Sequence, residues 1–155
     1  MKIAGQEVRG TIEDVLVLPR GKGEDLVIRG RAETDPQKFK EMVAVPEPPI
    51  TQTASGNQPD FTNPGYIAQM NAYSQQRFGY LILNTLYECE FDILDIEDPK
   101  TWGKWDQEFT DAGFNEMDKT RIVNFVSTVN SLNERAVEAA RENFLRSQEA
   151  QSQSV

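Results

Sequence analysis

The chain contains no histidine and a single cysteine, and both scarcities limit the chemistry that it can carry. Histidine is the commonest general base and the commonest zinc ligand, so its absence excludes Ser/His/Asp and Cys/His nucleophilic systems. The one cysteine, Cys89, cannot form an internal disulfide and is typical of a reducing cytoplasm. No cluster of basic residues adjoins Cys89 in the sequence, so it is predicted to be an inert thiol.

Long apolar runs are also missing. No stretch approaches the ~20 apolar residues of a membrane helix, and residues 1–10 lack the apolar segment of a signal peptide. The chain has 155 residues, of which 38% are hydrophobic and 26% charged, which is typical of a soluble domain with a core of its own. We therefore expect a soluble cytoplasmic protein with no membrane partner.

Positive charge is scarce in one segment. Residues 88–118 contain eleven acidic side chains and only two basic ones, Lys100 and Lys104, so this segment alone accounts for the net charge of −9. Such a field repels phosphate backbones and anionic lipids, and it attracts basic surfaces. The charge pattern therefore argues against nucleic acid as a partner and favours a basic protein.

Short strands are predicted in the first part of the chain. Residues 14–18 and 25–31 are rich in β-branched and aliphatic side chains and flank a loop with two glycines, which predicts a β-hairpin. Residues 2–4 and 6–8, separated by Gly5, predict a smaller strand pair. Residues 44–63 hold four of the eight prolines and few core-forming residues, so they are predicted to be an extended linker with polyproline II character at 46–49.

Three Asx–Pro pairs predict helix starts, because the Asx side chain caps the helix and proline suits its first turn. Asp35–Pro36 opens a short helix, Asn63–Pro64 a long helix over 64–90, and Asp98–Pro99 a helix that ends at Gly113. A fourth helix is predicted from Asn115, and a fifth from the capping-box spacing at 131–134.

These elements predict an α+β protein. We expect a β-hairpin unit over residues 1–45, a Pro-rich linker over 46–63, a bundle of three to four helices over 64–146 and a polar tail over 147–155.

The aromatic residues supply the candidate binding surface. All four tyrosines stand seven residues apart, and on one helix this spacing forms a single stripe. Such a stripe either packs at the boundary of the core or docks a partner, and both alternatives remain open. The same alternatives apply to a tryptophan pair whose spacing of three predicts a shared helix face. The candidate partner-binding residues are Tyr66, Tyr73, Tyr80, Tyr87, Trp102 and Trp105.

No catalytic, cofactor-binding or metal-binding residues are predicted. The carboxylates of residues 88–98 are of the type that binds Ca²⁺, but Phe91, Ile93 and Leu94 interrupt the EF-hand pattern. A two-carboxylate hydrolase needs no histidine and stays formally open, although no cleft pattern supports it. We expect a non-enzymatic protein without a cofactor.

Several segments carry a family resemblance. In the helical part they are residues 98–105 (DPKTWGKW), 111–114 (DAGF), 122–130 and 132–145, and in the first part residues 17–20 (VLPR) and 46–49 (PEPP). Together they resemble the tail assembly chaperones of tailed bacteriophages. The resemblance covers about 100 residues and carries no catalytic or ligand residue to this chain.

The resemblance implies a function in virus assembly. Such chaperones bind the tape-measure protein and help the tail tube to polymerise around it, so we expect as partners the tape-measure protein, other phage tail proteins and, as a further alternative, a second copy of this chain. The implied location is the host cytoplasm. The alternative is a structural virion protein, for example a tail, neck or capsid-associated component that is retained in the particle.

Overall fold

The computed structural model describes residues 1–8, 12–130 and 134–153 and confirms the α+β class. Within them, three antiparallel strand pairs occur: β1 Lys2–Ile3 with β2 Gln6–Glu7, β3 Glu13–Leu18 with β4 Leu26–Arg31, and β5 Ile50–Thr53 with β6 Gly56–Pro59. The helices are α1 Pro36–Met42, α2 Pro64–Thr85, α3 Trp105–Asp111, α4 Glu116–Val129 and α5 Glu134–Gln153. A 3₁₀ helix over Pro99–Lys104 precedes α3.

The caps predicted at the three Asx–Pro pairs are present, and α4 has a capping box that the sequence interpretation did not specify. The side chains of Asp35, Asn63 and Asp98 each accept a hydrogen bond from a backbone N–H of the first turn. Asn115 and Asp118 form a reciprocal capping box at α4. The capping box predicted at 131–134 includes residues outside the described part of the chain, where α5 begins at Glu134.

The β3–β4 hairpin packs on the helices through one face. Leu18 belongs to the same buried core as side chains of α2, α3 and α4, and Leu16 and Ile28 pack against that core. Gly30 permits this approach, since a Cβ there would stand 2.8 Å from the Phe125 ring. The hairpin and the helices therefore share one core across the predicted linker.

A second buried cluster joins α1 and α2 to the 3₁₀ helix. Phe39, Tyr80 and Trp102 pack together, with ring centroids 4.8–5.7 Å apart. Gly79 of α2 lies against the backbone carbonyl of Trp102, so only a residue without a side chain fits there. The C-terminal half of α2 therefore packs against both α1 and the 3₁₀ helix.

The segment after Asp98 departs from the predicted single helix. It begins with a six-residue 3₁₀ helix, at whose start the Thr101 hydroxyl donates to the Asp98 carbonyl over 2.7 Å and the Trp102 indole N–H donates to the Asp95 carbonyl over 2.8 Å. These side-chain bonds compete with the α-helical pattern and tighten the turn. The α-helix itself begins only at Trp105.

Three further predictions differ from the structure. The predicted linker contains the β5–β6 hairpin, whose tight turn places Gly56 at φ 107°. Helix α2 ends at Thr85 instead of residue 90. The predicted polar tail is helical as far as Gln153.

Candidate partner-binding surfaces

The tyrosine stripe is divided between the core and the surface. Tyr80 is buried, its hydroxyl donates to the Asp35 carbonyl over 3.1 Å, and burial raises its pKa. Tyr66 and Tyr73 are half-buried, while Tyr87 lies beyond the end of α2 and is 36% exposed. The core alternative therefore applies to Tyr80, which we remove from the candidate docking residues.

The two tryptophans do not present a shared exposed face. Trp102 is fully buried against Phe39 and Tyr80. Trp105 is half-buried on the other core cluster, 5.3 Å from the Phe78 ring, and its indole N–H donates to a backbone carbonyl of α2. The two side chains pack on different core clusters, so both act as packing residues, and Trp102 in particular is inaccessible to a partner.

A groove opens beside Tyr87 at the C-terminal end of α2. It has a volume of about 690 Å³ and lies between α2 and the segment 91–96. We call it the Tyr87 groove. Its lining includes the apolar side chains Leu83, Phe91, Ile93 and Ile96 and the polar side chains Arg31, Asn84, Asp92, Asp95 and Thr101. The Arg31 guanidinium lies over the Tyr87 ring at 4.4 Å from its centroid, a cation–π contact.

A buried carboxylate fixes one wall of this groove. The Glu108 side chain of α3 accepts hydrogen bonds from the backbone N–H groups of Asp92, Ile93 and Leu94 at 2.6–3.0 Å. Three charge-assisted bonds to consecutive amides hold a segment without regular secondary structure in one shape. Glu108 is a residue that the sequence interpretation missed, because nothing local distinguishes it from the other acidic residues of 88–118.

The same segment turns its apolar side chains inward and its acidic side chains outward. Five carboxylates near the groove are exposed: Glu88, Glu90, Asp92, Asp95 and Glu97. Within the described part of the chain, none of them lies within ion-pair distance of a cation. Cys89 is half-buried between them, and burial, followed by the charge of Glu88, raises its pKa. The predicted inert thiol is consistent with this environment.

The β3–β4 hairpin carries an exposed apolar face. Val15, Val17 and Val27 point away from the core and are 50–58% exposed, and Val17 pairs directly with Val27 across the strands. We call these three side chains the hairpin face. Strands that are buried on both faces typically read as continuous apolar runs, and residues 15–18 are such a run although only one face is covered.

Helix α5 carries a second exposed apolar face. Val137, Ala140 and Phe144 follow the i, i+3, i+7 spacing of a single helical stripe, and all three are exposed. We call them the α5 face. Every side chain that the structure describes in α5 is exposed, so no described residue covers this face. The sequence interpretation placed this helix in the bundle over 64–146, whereas the structure leaves its described side chains exposed.

Metal-binding side chains do not form a cluster among the described residues. Within them, no three acidic or cysteine side chains come close enough to hold a metal ion, so the calcium alternative has no ligand cluster there. No described helix is long and apolar enough to cross a membrane. The arrangement offers a groove, a hairpin face and an α5 face, which are surfaces for contact.

Comparison with known proteins identifies no relative: no family model, no curated protein and no solved structure matches the chain.

Proposed function

We propose that this chain is a non-enzymatic phage tail assembly chaperone that binds the tape-measure protein. The observation that carries the proposal is the uncovered α5 face on a strongly acidic protein. Apolar surface that its own fold leaves uncovered is typical of a protein that contacts another. The sequence resemblance to tail assembly chaperones supplies the identity of the client.

The mechanism follows from these surfaces. The α5 face and the hairpin face cover apolar stripes of a helical client, while the net charge of −9 keeps the complex soluble. Since no enclosed site or cofactor is required, release depends on competition with the growing tail tube and needs no nucleotide.

The test is co-expression of this chain with the tape-measure protein of the same phage, followed by affinity capture. We expect a soluble complex. Replacing Val137 and Phe144 by glutamine should weaken it by more than about tenfold, because each buried apolar side chain contributes roughly 1.5–3 kcal/mol. Both side chains are exposed, so the melting temperature of the free protein should stay unchanged.

A matched control is available on α4. Met117 is 61% exposed, the same fraction as Phe144, and lies in the first turn of α4, away from α5 along the chain. Met117→Gln should leave capture unchanged. Capture that is absent with the wild-type chain, or equally reduced by Met117→Gln, would contradict the proposal.

The structural virion protein is the second candidate. The exposed β1–β2 and β5–β6 hairpins favour it, because such pairs gain stability when they pack on a neighbour in an assembly. Mass spectrometry of purified particles separates the two functions. A chaperone is absent from the particle, whereas a structural component is present in a fixed ratio to the tail proteins.

A further inference from the structure

The Tyr87 groove combines several apolar side chains with a mostly polar lining, in which two carboxylates outnumber one cation. Leu83, Phe91 and Ile96 supply apolar surface, and Tyr87 stands at the edge with one face of its ring covered by Arg31. The volume of about 690 Å³ is within the range of pockets that bind small molecules or several side chains. Because Glu108 holds the wall formed by 92–94, the groove is shaped before a ligand arrives.

The charge around the groove selects the occupant. Asp92 and Asp95 line it, and further exposed carboxylates adjoin it in the same segment. Arg31 is the one cation among the lining residues that the structure describes, and its guanidinium is stacked on Tyr87. A ligand that brings positive charge gains electrostatic attraction here, while phosphate groups and anionic lipids are repelled.

A second copy of this chain does not supply such a ligand. Helix α5 contains three arginines and four glutamates over 134–153, and residues 1–45 carry equal numbers of basic and acidic side chains. Neither segment is cationic. A metal ion is also disfavoured, because the described residues contain no group of three potential ligands in range of one another.

We propose that the Tyr87 groove binds a cationic amphipathic helix of a partner protein. Apolar side chains of that helix enter the groove against Leu83 and Tyr87, and its lysines or arginines, three or four residues away, meet Asp92 and Asp95. The assignment of this helix to the tape-measure protein rests on the proposed function. The chemistry of the groove does not rest on it and is tested by itself.

The probe is a fluorescein-labelled peptide of about 16 residues, long enough for a marginal helix, made of leucine and lysine with the leucines at i, i+3 and i+4 spacing. The comparison peptide has glutamate in place of lysine. Fluorescence anisotropy with the full chain should detect binding of the lysine peptide and none of the glutamate peptide. The affinity for the lysine peptide should fall severalfold between about 50 mM and 300 mM NaCl. Equal binding of both peptides overturns the proposal.

Two variants and one control locate the binding. Asp92→Asn with Asp95→Asn keeps the side-chain shape and removes both charges, and Tyr87→Ala removes the aromatic ring at the edge of the groove. Each variant should bind the lysine peptide at least about fivefold more weakly than the wild type does. The control is Asp111→Asn with Glu116→Gln, which removes two exposed charges from α3 and α4. Equal loss in the control means general attraction to an acidic protein and overturns the proposal.

Amide shifts in a ¹⁵N-labelled sample give the second readout. Perturbations should fall on residues 83–96, and perturbations confined to the hairpin face or the α5 face, with none at 83–96, overturn the proposal. The two hypotheses fail separately. If the peptide occupies the groove and the tape-measure protein is not captured, the proposed function fails alone. If capture succeeds and Asp92→Asn with Asp95→Asn leaves it unchanged, the groove is not the client site.

Discussion

Replacing Gly79 by alanine should disrupt the close packing of α2 against the 3₁₀ helix. The new Cβ would stand 1.6 Å from the carbonyl oxygen of Trp102, 2.6 Å from its carbonyl carbon and 3.1 Å from its Cα. Each of these atoms belongs to the backbone, so no rotamer change relieves the contact. Helix α2 and the 3₁₀ helix must separate by roughly 2 Å to restore ordinary contact distances, which opens the cluster of Phe39, Tyr80 and Trp102.

The expected cost follows from this displacement. Overpacking a core typically costs about 1–3 kcal/mol and occasionally more. A clash with backbone belongs at the upper end, and the better helix propensity of alanine returns only about 1 kcal/mol. We expect a net loss of roughly 2 kcal/mol, which lowers the melting temperature of a domain of this size by about 6 °C.

Thermal unfolding followed by circular dichroism measures this loss, and Gly103 supplies the matched control. Gly103 lies in the same 3₁₀ helix, but a Cβ there meets no atom within 4 Å. Gly103→Ala should melt within about 2 °C of the wild-type protein. If Gly79→Ala melts as the wild type does, the close approach of α2 to the 3₁₀ helix is wrong.

Four further predictions concern stability and reactivity. Glu108→Ala leaves three backbone N–H groups without their acceptor, so it should cost about 3 kcal/mol and speed amide exchange at 92–94, whereas Glu108→Gln should cost less. Arg20 lowers the pKa of Asp118, so this ion pair stabilises the fold above the ordinary Asp pKa of about 3.9 and is lost as the pH falls below it. The stability difference between the wild type and Arg20→Gln, measured by urea unfolding, should therefore shrink on acidification, and a constant difference would contradict the assignment. Cys89 should react with a thiol reagent at least about tenfold more slowly in the folded protein than in urea, because its pKa is raised by burial. A chain truncated after Asn130 should have a melting temperature within about 2 °C of the full chain, because the described side chains of α5 are exposed. Loss of folding would show that α5 packs on the rest of the protein.

The helix starts were predictable because their signals are local. The Asx side chain before the proline at 36, 64 or 99 accepts a hydrogen bond from a backbone N–H of the first helical turn, and this bond does not depend on tertiary contacts. The β3–β4 hairpin was predictable for the same reason, from two apolar runs around a glycine turn. The β5–β6 hairpin was missed, although Ile50 and Thr51 followed by a Ser–Gly pair at 55–56 are a recognisable signal.

The division of the aromatic residues was not predictable in the same way. Seven-residue spacing places the tyrosines on one side of a helix, but which of them are buried depends on where α2 meets its neighbours. Only the C-terminal half of α2 contributes buried side chains, so Tyr80 enters the core while Tyr66 stays near the surface. Tyr87 left the stripe because α2 ends two residues before it. The role of Glu108 likewise depends on a loop 14–16 residues away in the sequence.

The measurement that tests the central claim most directly is the soluble fraction of the tape-measure protein in cells, with and without this chain. If the uncovered apolar faces act as the chaperone surface, the wild-type chain should move the client from the insoluble to the soluble fraction. The variant with glutamine at Val137 and Phe144 should fail to do so while remaining folded and soluble itself. A client that stays insoluble with the wild-type chain, or one that is equally soluble without it, would contradict the chaperone function.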